Sequence, residues 1–395
     1  MRIAIYTGEI PSTSFIENLI KGISEKPGFT VLIFGKKKAQ VKYHSNVGVH
    51  YFPKSFLGTV FSLMLNASKL LVLRPFAVLG LVRDSFDRKK GFKYSLNRLV
   101  QRLIVVNYLP DVFHIQWIKE GDQWLFLQHF GVKVMASFRG THVNCSPVAD
   151  EALAMKYRKT FPVYDGFHSV SFALASEAEK YGVDIEKVFR IPSAVSRTLI
   201  TEKKELKVYD SDSVLNILSI GRQNWIKGYH YALDACRILK DRGIKFKYLI
   251  VGGKPNEELL FQINDLDLKN EVEFVEKVAH DQIPGFYQKA DLFLLPSVEE
   301  GIANVVLEAM AQEVPVVSTN CGGMAEVIKD GENGLLVPVR DPEAIANAVI
   351  QVVNNQVDLS AIVEAAKETI IKSHLLSGQI NAFEKMYNEV LLIQK

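Results

Sequence analysis

The sequence predicts an α/β protein made of two doubly wound parallel-sheet domains that face each other across a central cleft. Short β-rich runs alternate with longer helical patterns from end to end, the signature of parallel sheets crossed by helices. The alternation starts afresh after a polar, weakly periodic stretch at 193–213 that contains the run TEKKELK. Charge divides at the same place. Residues 1–200 hold 27 Lys and Arg against 15 Asp and Glu, whereas residues 201–395 hold 20 against 29. Sheets of this kind bind ligands beyond the C-terminal ends of their strands, so two of them joined by a linker predict a site in between.

The first domain, 1–200, reads as strands at 2–7, 30–34, 112–115, 133–137, 166–170 and 188–191, with helical patterns such as 14–24 and 94–106 between them. The second, 201–375, reads as strands at 215–220, 247–251, 272–274, 292–295, 316–318 and 334–337. A last segment, 376–395, carries an amphipathic helix over 376–392. It is free in the sequence to pack on its own domain or to cross back to the first.

The three cysteines, Cys145, Cys236 and Cys321, are scattered and have no histidine cluster near them. This argues against a disulfide framework or zinc knuckle and fits a reducing cytoplasm. The start, MRIAIYTGEI, reads as a buried strand rather than a signal peptide. The most apolar region, 56–82, has a longest uncharged run of 14 residues at 55–68, too short to span a bilayer. No GxGxxG dinucleotide fingerprint follows Thr7 or Gly252-Gly253. Asp210-Ser-Asp212 and Asp265-Leu-Asp267 read as solvated turns rather than metal sites.

Three segments carry the candidate chemistry. In LNILSIGRQNWIKG a strand ends at Gly221, a tight turn follows, and a helix opens near Lys227. Such a turn aims backbone N–H groups at an anion, and Arg222 and Lys227 bracket it as a planar fork and a point charge suited to a diphosphate. The plain alternative is a strand–helix turn with two solvated cations. In PSVEEGIANVVLEAM the loop holds Glu300, Asn304 is the expected helix N-cap, and Glu308 sits one turn into the helix. Carboxylates so placed accept hydrogen bonds from sugar hydroxyls; alternatively, Glu308 is a solvated residue favoured by the helix dipole. In PVVSTNCGGMAE paired glycines follow a strand and permit close backbone approach.

GRxxxxKG, then E-x7-E with EAMA, PVVST, GG and E, then DGxxGLLVP, occur in that order and at matching spacing. Together they resemble the C-terminal domain of retaining glycosyltransferases with the GT-B fold, two Rossmann-like domains facing a cleft. That family, numbered four, includes sucrose synthases, mannosyltransferases and many polysaccharide-assembly enzymes. The resemblance implies that Arg222 and Lys227 neutralise the donor diphosphate as it leaves, with Gly221 and a weaker match at Gly8 beside the phosphates. It implies that Glu308 binds the ribose, that Glu300 contacts the donor sugar, and that the backbone of Gly301, Ile302, Ala303 and Asn304 contacts sugar or phosphate. The family retains anomeric configuration by same-face attack through a short-lived ion pair, without a protein nucleophile. The implied catalytic set is therefore Glu300, Arg222 and Lys227, with a UDP- or GDP-sugar donor and no cofactor or metal.

The N-terminal half departs from the family pattern. His114 matches one of two family histidines, and Gln116 stands at the other. Arg139 stands where many members have a histidine, and it stays protonated; His142 lies close by. These three, His114, Arg139 and His142, are the candidates for the acceptor side. The stretch 83–102 carries seven basic residues (Arg83, Arg88, Lys89, Lys90, Lys93, Arg98 and Arg102) beside the apolar region 56–82. That pairing suits attachment at the inner face of the cell membrane and a glycan or lipid-linked acceptor; the alternative is a core helix followed by a solvated one. Aromatic and basic residues do not interleave as a nucleic-acid platform. Two other readings stay open: a GT-B sugar-nucleotide epimerase, and a non-catalytic nucleotide-sugar-binding partner.

Overall fold

The computed structural model describes residues 1–86, 91–200, 206–210 and 212–393. Most of the run TEKKELK, Ser211 between Asp210 and Asp212, and the basic residues Arg88, Lys89 and Lys90 lie outside the described residues. Two parallel sheets form the frame. The first has seven strands: β1 (Arg2–Ile10), β2 (Thr30–Lys37), β3 (Val47–Phe52), β4 (Val112–Ile115), β5 (Lys133–Ser137), β6 (Gly166–Ser169) and β7 (Val188–Arg190), in the order β3-β2-β1-β4-β5-β6-β7. The second has six: β8 (Leu215–Ile220), β9 (Phe246–Val251), β10 (Val272–Val275), β11 (Leu292–Leu295), β12 (Val316–Thr319) and β13 (Leu335–Val337), in the order β10-β9-β8-β11-β12-β13. Each sheet reverses strand order at its centre, and helices cover both faces. The central strands are apolar runs because neither face meets water: β4 and β11 are buried at every residue.

β3 is absent from the sequence prediction. As an edge strand it is only half-buried along most of its length, so VGVHYF lacks the continuous apolar run that marks the inner strands. β1 runs three residues further than predicted. Its pairing with β2 shifts register between Tyr6 and Gly8 and then resumes at Gly8↔Gly35, so Gly8 lies inside the strand. The expected loop after Thr7 is a bulge, and Gly8 faces Gly35 and Trp117.

The chain crosses between the lobes twice, and the two crossings touch. Val195 N–H donates to the His374 carbonyl at 2.9 Å, and Leu376 N–H donates to the Val195 carbonyl at 2.9 Å. The helix Leu376–Leu392 therefore returns to the first lobe. Its Ile380, Phe383, Met386, Tyr387 and Val390 complete an apolar core with the helix Ser14–Ser24 and β1. Among the described residues no helix is long and apolar enough to cross a membrane.

Candidate functional site

The C-terminal ends of both sheets point into one cavity of about 360 Å³, lined from both lobes. Arg222, Lys227, Glu300, Gly301, Ile302 and Asn304 form its second-lobe wall. β8 ends at Ile220, and a single 3₁₀ turn, Trp225–Lys227, follows, with the Asn224 side chain accepting from Ile226 N–H at 3.3 Å. The long helix opens only at Tyr229, after Gly228 in the left-handed region at φ 64°. The sequence placed that start near Lys227. Close packing sets the difference: a Cβ on Gly228 would lie 2.0 Å from the Pro296 carbonyl oxygen, so the turn is pressed on the loop after β11.

That contact brings the two candidate segments together. Lys227 Nζ lies 2.5 Å from Glu300 Oε1, and both side chains are about four-fifths buried. The Ser297 hydroxyl donates to the same carboxylate oxygen at 3.0 Å. The Lys227 stem runs alongside Gly221, where a Cβ would approach its Cε to 3.1 Å. Gly221 thus makes room for the lysine without lining the cavity itself. Arg222 is exposed at the rim and has no ion pair among the described residues.

The loop carrying Glu300 is held from behind by the paired glycines after β12. Gly322 adopts φ +52°, and a Cβ there would fall 1.7 Å from the Glu300 carbonyl oxygen. Gly323 N–H donates to that carbonyl at 3.3 Å. The glycines therefore serve close approach to the neighbouring loop. The helix Asn304–Ala311 begins at Asn304 itself, and extended Ala303, not Asn304, is the N-cap, with no side-chain cap. The first N–H groups of that helix have no intrahelical partner, and Asn304 lines the cavity.

Glu308 is set apart from this wall. It is half-buried, and the Tyr287 hydroxyl donates to its Oε2 at 3.0 Å and also contacts the Val305 carbonyl at 3.0 Å. Burial raises the Glu308 carboxyl above its ordinary value, against the lowering effect of that bond. It is therefore not a solvated helix residue. Tyr287 was not singled out in the sequence; its part in the helix Pro284–Lys289 carries no local signal.

The first-lobe wall centres on Arg139. Its Nη2 donates to Gln116 Oε1 at 2.6 Å and its Nε to the Gln116 carbonyl at 3.2 Å. The guanidinium lies 4.3 Å from the Phe15 ring centroid and 5.7 Å from that of Trp117. No carboxylate pairs with it among the described residues, and burial pushes it down to about 9. Gln116 is 1% exposed and lines the cavity, and its Nε2 finds no partner among the described residues. Gly140 brings this wall against the other, since a Cβ there would lie 3.2 Å from Gly301 N. Asn144 Nδ2 also crosses to Glu299 Oε1 at 2.6 Å.

His114 and His142 do not line the cavity. His142 is half-buried near the Trp117 ring, and burial holds it down at about 4. His114 is fully buried within a bonded chain: Tyr387 hydroxyl to His114 Nδ1 at 2.8 Å, His114 Nε2 to Ser137 Oγ at 2.9 Å, and Ser137 Oγ to His168 Nδ1 at 2.9 Å. The chain ends at His168 Nε2 and the Ile191 carbonyl, 3.0 Å apart. That carbonyl only accepts, so His168 Nε2 donates and its Nδ1 accepts from Ser137. Ser137 then accepts from His114 Nε2, and His114 Nδ1 accepts from Tyr387. Every donor is used with both rings neutral, and burial pushes both below their ordinary range. Gly8 also stands away from the cavity.

In the two Asp-x-Asp runs, Asp212 pairs with Lys245 at 2.8 Å and Asp267 with Lys240 at 3.1 Å, while Asp265 ends the helix Glu257–Asp265.

Comparison with known proteins identifies the family and the fold. Residues 202–369 match the family model described as glycosyl transferases group 1. The amylovoran biosynthesis glycosyltransferase AmsK of Erwinia amylovora is 36% identical over 331 residues, covering 80% of each chain. The chain belongs to the glycosyl transferases group 1 family. The putative colanic acid biosynthesis glycosyltransferase WcaL of Escherichia coli is 30% identical over 280 residues, 68% of each chain. The structure of HepE from Anabaena in complex with UDP superposes with a TM-score of 0.70 at 16% identity, covering 98% of this chain and 99% of that one. The two facing parallel-sheet lobes of this glycosyltransferase are the GT-B fold.

Proposed function

We propose that this glycosyltransferase is a retaining, family-four enzyme that moves a hexosyl group from a UDP- or GDP-sugar to a glycan or lipid-linked acceptor in surface-polysaccharide assembly. The observation that carries the reading is the Lys227–Glu300 pair on the cavity wall, with Arg222 beside it free of ion pairs among the described residues and a helix start at Asn304 with no side-chain cap. A diphosphate entering there meets Arg222, Lys227 and free backbone N–H groups, which suit its charge. Lys227 then turns from Glu300 to phosphate, and the freed carboxylate accepts from sugar hydroxyls. In the transfer, the bond from anomeric carbon to phosphate oxygen breaks and its electron pair leaves with the nucleoside diphosphate. The acceptor oxygen bonds the same face of that carbon, and its proton passes to the departing phosphate oxygen. Arg222 and Lys227 stabilise the leaving charge as protein cations, so the reading is metal-independent. Glu308 accepts from the ribose, with Tyr287 holding it. AmsK and WcaL are named for the biosynthesis of amylovoran and of colanic acid, and HepE was captured with UDP, which supports a polysaccharide product and favours uridine.

The test is thermal stabilisation by a panel of UDP- and GDP-sugars, followed by release of nucleoside diphosphate when acceptor glycans are added. Arg222→Ala and Lys227→Ala should each weaken the hit. Undiminished binding in both variants overturns the site. Free isomerised sugar nucleotide without acceptor indicates an epimerase instead.

A further inference from the structure

Two helices of the basic lobe leave an apolar surface uncovered. The helices Phe56–Leu73 and Pro75–Ser85 touch each other and both pack on the helix Phe92–Val106. Leu70, Val78 and Leu81 turn inward to the core. The opposite stripe meets solvent: Leu57, Phe61, Met64, Leu65 and Val72 on the first helix, and Phe76 and Leu79 on the second, are each at least 61% exposed. Their spacing places them on one face of each helix. Side chains of this size present on the order of 1,000 Å² of apolar surface, well above the few hundred usual for a soluble monomer.

The charge around this surface is mainly basic. The helices Phe56–Leu73 and Phe92–Val106 contain no carboxylate, and the acid of Pro75–Ser85, Asp84, lies 3.1 Å from Arg83. Exposed Lys54 precedes the first helix, Arg74 joins the two, and Lys93 follows exposed Phe92; none has an ion pair among the described residues. We propose that this surface docks the protein on an anionic lipid bilayer, with Leu57, Phe61 and Phe76 entering the acyl boundary and Lys54, Arg74 and Lys93 among the headgroups. A second copy fits it poorly, because twofold pairing sets the same patch against itself and opposes like charges. The helix Phe56–Leu73 also leaves the C-terminal end of β3, the same edge of the sheet that presents Gln116 and Arg139. Four strand spacings separate β3 from β5 in the sheet order, or roughly 19 Å at ~4.8 Å each. A bilayer there lies within reach of an acceptor carried on lipid.

The experiment is co-sedimentation of the full chain with vesicles of phosphatidylglycerol and phosphatidylethanolamine, and with vesicles of phosphatidylcholine alone. Binding should be about tenfold tighter to the anionic vesicles and should weaken in high salt. Phe61→Ser combined with Phe76→Ser should reduce it about tenfold, while Leu260→Ser combined with Phe261→Ser, at exposed apolar residues of the other lobe, should leave it unchanged. Circular dichroism and UDP binding of each variant report the fold and the cleft separately, so docking and the transfer reading can fail independently. Absence of anionic-vesicle binding overturns the proposal, as does equal loss in both variants. A dimer that Phe61→Ser with Phe76→Ser dissociates, without vesicle binding, assigns the surface to a second copy instead.

Discussion

Lys227 and Glu300 hold each other in the cleft, and separating their roles needs two ligands. In Lys227→Met the stem beside Gly221 is kept and only the charge is removed. A charge-assisted contact to phosphate contributes about 1.5–3 kcal/mol, so UDP and UDP-sugar should both bind about 10- to 150-fold more weakly. Glu300→Gln acts differently. It frees Lys227 from a partner 2.5 Å away and removes a negative charge near the diphosphate. UDP should then bind as well as before or tighter. The UDP-sugar loses a charged acceptor for its hydroxyls, a difference of about 1 kcal/mol or roughly fivefold. Titration calorimetry of UDP and of the UDP-sugar identified by stabilisation measures both ratios. Equal weakening of the two ligands by Glu300→Gln, or UDP affinity unchanged in Lys227→Met, would refute the division of labour.

Tyr387→Phe strips the hydroxyl that donates to fully buried His114 Nδ1 and should cost about 1–3 kcal/mol, visible as a Tm lower by a few degrees; an unchanged Tm would show that the bond contributes nothing. Both rings of that chain are neutral when folded, with His168 pushed down to about 3 by burial. The unfolded chain takes up protons near pH 6.5 that the folded chain refuses. Stability is therefore full above that pH and declines below it, by about 1.4 kcal/mol per histidine at pH 5.5, which urea unfolding at pH 7.5 and 5.5 measures. Gly322→Ala, whose Cβ would strike the Glu300 carbonyl, should cost more than about 2 kcal/mol and weaken donor binding. Gly331→Ala, also at positive φ but in open space, should cost about 1 kcal/mol and leave the cleft intact; similar losses in calorimetric Tm would count against the close approach.

Where a strand is buried on both faces, its sequence reports its limits to within a residue. The predicted limits 112–115, 133–137, 215–220 and 292–295 match β4, β5, β8 and β11. Half-exposed β3 carries no such run, and the extension of β1 past Gly8 depends on a register shift against β2. The second-lobe wall was legible because Arg222, Lys227, Glu300 and Asn304 sit in two short segments whose loops follow adjacent strands. What the sequence left dark are partnerships between distant residues. Tyr287 with Glu308, Gln116 with Arg139, and Tyr387 with His114 arise from how helices and strands are brought together, and no local pattern encodes them. His114 illustrates the cost of reading position without depth: it lies next to the end of its strand, yet faces the core.

The return of the helix Leu376–Leu392 to the first lobe has a bearing on synthesis. A core that seals Ile3, Ile5 and Met135 waits for Phe383, Met386 and Tyr387. At ~5–20 residues/s, roughly 10–35 s separate the emergence of residue 200 from that of residue 376. During that interval the strands of the second lobe, β8 to β13, emerge in turn while the first has an uncovered apolar face and an unfilled bond at His114. The lobe made first is thus the lobe finished last, and the second lobe forms its core while still tethered to an incomplete neighbour.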